Sequence, residues 1–313
     1  MNARSTGALR IGTRGSTLAL AQTGMFADDL ADATGVTTEL VTITTDGDRS
    51  NEPLSRAGGT GLFTGALRDA LEAGECDIIV HSLKDLPTAP HERLMIAAIP
   101  AREDPRDALV ARDGLTLDQL PAGARVGTGS PRRMAQLRAR RPDLDVVDIR
   151  GNVDTRLGKV TGGELDAVIL AAAGLRRIGR AEVVTEFLDA DAWPTAPGQG
   201  ALAVEVRRGD EDLVRALDHA ETRAAVEAER GVLALLEAGC SAPVGARAVV
   251  DAGLLLLSAS VYSLDGTTIL TSSHGAVWPD DADSDGVAPR DVAAAVAREL
   301  LAAGAADLTQ EGP

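Results

Sequence analysis

The feature that most constrains this chain is an alternation of short β-like runs with longer helical ones. ALRIGT, TELVTITT, CDIIVHS, LMIAAIP, DALVAR, ARVGTG, DVVDIR, DAVILAA and ALAVEVR read as strands. Segments such as STLALAQTGMFADDLADATG and GLFTGALRDALEAG read as helices between them. Such alternation predicts an α/β fold with a largely parallel sheet, since each helix carries the chain back across a sheet face. Two internal echoes divide the pattern. RIGTRGSTLALAQ (10–22) and RVGTGSPRRMAQ (125–136) both run strand, Gly-Thr, Ser, helix. AGECDIIVHSLKDL (73–86) and GGELDAVILAAAGL (162–175) both set Gly-Glu-x-Asp before a buried strand. The echoes keep their order, which predicts two related α/β domains facing each other across a cleft.

After Pro197-Gly198-Gln199-Gly200 the pattern changes. ALAVEVR is one more strand, placed to return to the first domain. Glu221 to Ala238 reads as a helix that Gly239 ends in a left-handed cap. GARAVVDAG, LLLLSASVYSLDG and TTILTSSHG then read as an antiparallel meander, followed by the helix PRDVAAAVARELLAAG. The expected domains are 1–102 with 198–219, then 103–197, then a small α+β domain over 220–313. PDDADSDG (279–286) reads as a solvated acidic loop without EF-hand spacing.

A net charge of −16 argues against nucleic acid or an anionic membrane as the main partner. No apolar run approaches the ~18 residues that span a bilayer. The start, MNARSTGALRIG, lacks the apolar core of a signal peptide. Two cysteines make no disulfide framework, and the expected setting is the cytosol. Charge is nevertheless uneven: eight arginines stand between Arg125 and Arg156 against four aspartates, a local +4. A solvated helix face explains this, and so does a local anion site, because arginine matches carboxylates through paired N–H donors.

Ser16 and Ser130 stand where helix N-caps belong, and Pro131 suits a first helical position. Arg14, Arg132 and Arg133 gather at those positive dipole ends, an unfavourable placement until an anion arrives. HSLKDLP (81–87) follows a buried strand, so Asp85 lies where α/β folds put their sites and is a candidate acid/base carboxylate. IRGNVDTRLGK (149–159) sets Arg150 and Arg156 around a Gly-Asn turn. TDGDRSNEPLSRAGGTGLF (45–63) has the composition of a lid. Cys76, at the head of a buried strand, reads as a core residue. Cys240, in GCSAPVG, follows a helix C-terminus, which does not activate a thiol; a Cys–His pair stays open. Two distant cysteines supply no zinc site, and no metal is expected.

Taken together, HSLKDLP, EDPRDALV, VGTGSPRR, RRPDL, IRGNVDTRL, LAAAGLRRIG, APGQGALAVE and GCSAPVG resemble, in order and over essentially the whole chain, the porphobilinogen deaminase family. The resemblance implies two type II periplasmic-binding-protein-like domains around a cleft, with a small α+β C-terminal domain. It implies a monomeric transferase of tetrapyrrole biosynthesis. Four porphobilinogens are joined head to tail, each losing ammonia, on a covalent dipyrromethane cofactor, and hydroxymethylbilane is released. It implies Cys240 as the thioether anchor and Asp85 as the catalytic carboxylate. Arg14, Arg132, Arg133, Arg150, Arg156 and Arg177 become carboxylate binders, helped by Lys84, Ser16, Ser82, Thr128 and Ser130. Thr60 stands where the family commonly has lysine, which leaves Arg56 or Arg49 to supply a basic lid contact. The alternatives are a non-enzymatic anion-binding module of the solute-binding class and a transferase using Cys240 as its nucleophile.

Overall fold

All nine apolar runs form strands in the computed structural model, which describes residues 7–44, 64–239, 242–278 and 288–309. The first run gives β1 (Leu9–Thr13), α1 (Thr17–Thr34), β2 (Thr38–Thr42), α2 (Gly65–Ala73), β3 (Ile78–Ser82) and β4 (Leu94–Ala98). The second gives β5 (Asp107–Ala111), β6 (Arg125–Thr128), α3 (Pro131–Arg140), β7 (Asp145–Asp148), α4 (Val153–Thr161), β8 (Ala167–Ala171), α5 (Ala172–Arg177) and β9 (Glu186–Phe187). Then come β10 (Leu202–Arg207), α6 (Ala220–Leu235), β11 (Val244–Asp251), β12 (Leu254–Tyr262), β13 (Ile269–Val277), α7 (Pro289–Ala302) and α8 (Ala305–Thr309). The chain divides into two compact units, Met1–Arg102 with Ala201–Ala220, and Glu103–Gly200 with Glu221–Pro313.

Each sheet is largely parallel, with one antiparallel strand among its five described strands. In the first unit the order is β2-β1-β3-β10-β4, with β1 parallel to both neighbours and β10 antiparallel to β3 and β4. In the second it is β7-β6-β8-β5-β9, with β5 the antiparallel strand. The physical reason lies in connectivity. Both β5 and β10 begin within a few residues of the point where the chain crosses from one unit to the other, so neither arrives through a helical crossover.

The echoes are the same local chemistry used twice. In the first unit Asp77 accepts from the Arg10 backbone N–H at 3.2 Å, and the Arg10 guanidinium donates to the Glu75 carbonyl at 2.9 Å. In the second, Asp166 accepts from the Arg125 N–H at 2.6 Å, and the Arg125 guanidinium donates to the Glu164 carbonyl at 2.6 Å. Gly74 and Gly163 make the preceding turns at φ 75° and 74°. The Gly-Thr glycines are set by close packing. A Cβ on Gly12 would stand 2.9 Å from Cys76 Sγ, and one on Gly127 would stand 2.6 Å from Leu165. Cys76 is thus a core residue, fully buried, with its thiol pushed up to about 11 by burial.

Within the second unit, β11, β12 and β13 form an antiparallel meander whose inner face packs on Val292, Val296 and Leu300 of α7. This α+β part is joined to its neighbour by buried polar groups. Glu229 accepts from the Gly198 and Ala248 N–H groups at 2.7 and 2.8 Å, and Gln136 donates to the Tyr262 hydroxyl at 3.2 Å. The end of α6 departs from expectation. The left-handed residue is Glu237, at φ 51°, rather than Gly239, and Ala238 donates back to the Leu233 carbonyl. The chain turns early because Leu236 and Ala238 both enter the core. The lid segment 45–63, with Arg49, Arg56 and Thr60, and the acidic loop 279–286 lie outside the described residues.

Candidate active site

In the first unit, the turn from β1 into α1 and the end of β3 enclose a concavity of about 80 Å³. Ser16, with extended backbone, caps α1 by accepting from the Ala19 N–H at 3.3 Å, and buried Thr13 donates to the Ala19 carbonyl. Arg14 therefore projects from a turn fixed on both sides. Across the cavity, the Ser82 hydroxyl donates to Gln22 Oε1 at 3.1 Å. Beyond Ser82 the chain makes a single 3₁₀ turn, Leu83–Asp85. Leu83 and Leu86 are buried at either side, so Asp85 is held out of the core, exposed, with Lys84 half-buried beside it. Arg14, Ser16, Ser82 and Asp85 all line the same cavity, together with His81.

Beneath it lies an ion-pair network that sequence reasoning missed. Glu205, 2% exposed on β10, accepts two bonds from Arg68 of α2 at 2.7 and 3.0 Å, and His81 Nε2 lies 3.1 Å from Oε2, the oxygen that accepts from Arg68 Nε. Burial alone would raise the Glu205 carboxyl, but His81 and Arg68 outweigh it and hold it at about 2. A depressed acid stabilises the fold above its unfolded value of 4.5, and that stabilisation is lost as pH falls towards about 2. The contribution is about 3 kcal/mol. Urea unfolding of the wild type is expected to weaken over this window by that much more than unfolding of Glu205→Gln; parallel pH curves would refute the assignment.

In the second unit, Ser130 caps α3 by accepting from the Arg133 N–H at 3.5 Å, and its own N–H reaches buried Thr128 Oγ1 at 3.2 Å. Arg132 and Arg133 do not lie on a solvated face: they are 3% and 6% exposed and converge on Asp107, which is fully buried. Asp107 accepts from Arg132 at 2.9 Å, Arg133 at 2.6 Å, Trp193 Nε1 at 2.9 Å and Gln199 at 2.7 Å. Burial would raise its carboxyl, yet the two guanidiniums hold it far below the usual carboxylate range. Arg132 also donates to Gln136 and to the Pro194 carbonyl, and Arg133 to the Ile169 carbonyl. What these arginines can still offer an anion is Nε–H, which in both is buried without a hydrogen-bond partner among the described residues.

Arg150 leaves β7 with its Nε likewise buried and unbonded. Arg156 of α4 donates to the Gly151 carbonyl at 2.9 Å; burial, then the nearby charges of Arg133 and Arg150, destabilise its charged form. Arg177 ends α5, donates to the Gly200 carbonyl at 2.6 Å and is also lowered by burial, with Glu103 opposing. Cys240 lies outside the described residues. Asp107 and Glu205 left one signal in the sequence: a carboxylate adjoining the apolar stretch ALVA and one set inside the stretch LAVEV.

Two α/β units with arginines at their capped helix starts, and an α+β part, define the class of protein. Two family models match the chain. "Porphobilinogen deaminase, dipyromethane cofactor binding domain" covers residues 9–215, and "Porphobilinogen deaminase, C-terminal domain" covers 223–301. The chain belongs to the porphobilinogen deaminase family. A curated porphobilinogen deaminase of Leifsonia xyli subsp. xyli is 61% identical over 314 residues, spanning 97% of this chain and 95% of that one. Porphobilinogen deaminase 1 of Streptomyces coelicolor is 54% identical over 316 residues, 97% and 98% of the two chains. Among solved structures, an ancestral cationic amino acid solute-binding protein is 18% identical over 68% of this chain and 87% of that one, with a TM-score of 0.42.

Proposed function

We propose that this chain is a hydroxymethylbilane synthase, a deaminating transferase that joins four porphobilinogens head to tail and releases the linear tetrapyrrole for tetrapyrrole biosynthesis. The observation that carries this reading is the local excess of positive charge around Asp107 in the second unit. One carboxylate, Asp107, faces two guanidiniums, and Arg150 and Arg156 stand near Arg133 in mutual repulsion. Buried charge of one sign is costly until a counter-ion arrives. The unbonded Nε–H groups of Arg132, Arg133 and Arg150 supply donors for it. A pyrrole chain with carboxylates on every ring is such a counter-ion, so the residues fit a dipyrromethane cofactor.

When bound, that cofactor supplies the nucleophilic ring end to which each new pyrrole is joined. Cys240 holds it through a thioether, which needs no permanently activated thiolate. Arg14, Arg132, Arg133, Arg150, Arg156 and Arg177 bind ring carboxylates, with Lys84, Ser16, Ser82, Thr128 and Ser130 completing the donor set. Asp85 stabilises the positive charge that develops on a pyrrole nitrogen as ammonia leaves, an electrostatic task for a carboxylate fixed on a turn at the cavity and covered when substrate fills it. We assign a cytosolic monomer without nucleic-acid partners. The charge of −16 speaks against nucleic acid as a partner, and no described helix is long and apolar enough to cross a membrane.

Intact-protein mass spectrometry with a porphobilinogen turnover assay tests the reading. The expected protein is heavier than its sequence by a dipyrromethane on Cys240, and Cys240→Ser carries no adduct and turns nothing over. An unmodified, fully active wild type would sink the proposal.

A further inference from the structure

The first unit's cavity must do more than hold carboxylates, because its floor is built around a histidine with a defined orientation. His81 is 6% exposed and lines the cavity beside Asp85. Its Nε2 lies 3.1 Å from Glu205 Oε2, the oxygen that also accepts from Arg68 Nε, while Arg68 Nη2 holds Oε1; the Nε2 approach is an ion-pair contact without the alignment of a regular hydrogen bond. Glu205 stays ionised down to about pH 2, so it can only accept. The proton of a neutral His81 ring therefore sits on Nε2, and Nδ1 is left with a bare lone pair. Nδ1 makes no hydrogen bond among the described residues and, unlike Nε2, is not among their buried unbonded atoms, which leaves it accessible at the cavity wall.

The other acceptors of the cavity are largely committed. Ser16 Oγ takes the Ala19 N–H, and Gln22 Oε1 takes the Ser82 hydroxyl. Arg14 only donates. The strong acceptors left are the Asp85 carboxylate and the His81 ring. Two acceptors of different charge beside one another suit a ligand bearing two kinds of N–H: a pyrrole nitrogen and a primary ammonium.

We propose that His81 Nδ1 is the acceptor for the aminomethyl ammonium of the incoming substrate, with Glu205 and Arg68 as positioning residues that set its tautomer. The assignment rests on the porphobilinogen reading above. In it, Asp85 serves the pyrrole nitrogen while His81 orients the group that leaves.

The test compares two amides after the wild type has been shown to carry its adduct and turn over. In His81→Asn the side-chain amide lies near the place of Nδ1, so an acceptor is kept and the bond to Glu205 is lost. In His81→Gln it lies near the place of Nε2, so the donor to Glu205 is kept and the acceptor is lost. The expected result is a KM for porphobilinogen raised about ten- to a hundredfold in His81→Gln. His81→Asn should be closer to wild type, and the adduct mass should be unchanged in both. A pyrrole lacking the aminomethyl nitrogen should inhibit wild type and His81→Gln equally well. A His81→Gln enzyme equal to or better than His81→Asn means His81 is merely a prop for Glu205 and overturns the proposal. A wild type without adduct or turnover instead overturns the functional reading. Should a variant fail to fold, ¹⁵N NMR of the wild-type histidines decides: an Nε2–H tautomer at His81 supports the assignment, and an Nδ1–H tautomer refutes it.

Discussion

Replacing Asp85 by asparagine is expected to lower turnover about a hundred- to a thousandfold while leaving the covalent adduct in place. The side chain stands on a 3₁₀ turn anchored by buried Leu83 and Leu86, so the substitution changes charge without moving the backbone. Asparagine is nearly the same size, and exposure at this position spares the fold a desolvation cost. What is lost is a fixed negative charge beside a developing cation, in a cavity whose other charged lining group is Arg14. Steady-state kinetics and intact mass on the same preparation separate the outcomes. Loss of turnover with the adduct retained is the expected pair; near-wild-type turnover would remove Asp85 from the mechanism.

Replacing Asp107 by alanine is expected to cost the second unit about 3–5 kcal/mol, because it strands two buried guanidiniums without their carboxylate. Arg132 and Arg133 would lose one bond each, and Trp193 Nε1 and Gln199 would lose their acceptor in a fully buried place. Asp107→Asn keeps the shape and removes the charge, and should recover only part of the loss. The folded carboxyl is depressed, so its stabilisation is present above the unfolded value of 3.8 and declines as pH falls below it. Denaturant unfolding of the three proteins checks this, and an Asp107→Ala midpoint matching wild type would show that the arginines are paired elsewhere.

Much of the architecture was legible because it is local. Apolar runs of four to nine residues bounded by glycine and aspartate formed strands where they were expected, and both serines cap their helices. The Gly-Glu-x-Asp echo was legible as a repeat, although only the structure shows that Asp77 and Asp166 each tie off a backbone N–H near the head of the neighbouring parallel strand. The direction of β5 and β10 was not legible. Strand direction follows from how the chain re-enters a sheet, and nothing within DALVA or LAVEVR records that. The site divides in the same way. Arg14, Ser16 and Asp85 could be named from their turns, Ser82 only through the family resemblance, and the structure places all four on one cavity.

The sequence by itself determined the element order, the duplicated α/β plan, the family and the kinds of residue available for anions. Those properties depend on neighbours in the chain. Only the tertiary structure decided which charges are already matched. Asp107 lies 25 residues from Arg132, and Glu205 lies 137 residues from Arg68, yet each pair meets in the core, where exclusion of water makes the pairing decisive. That is why Arg132 and Arg133, read as arginines awaiting an anion, prove to be half-committed to a buried aspartate. It is also why His81, unremarkable as a letter in HSLKDLP, meets a glutamate on a strand that the chain reaches more than a hundred residues later.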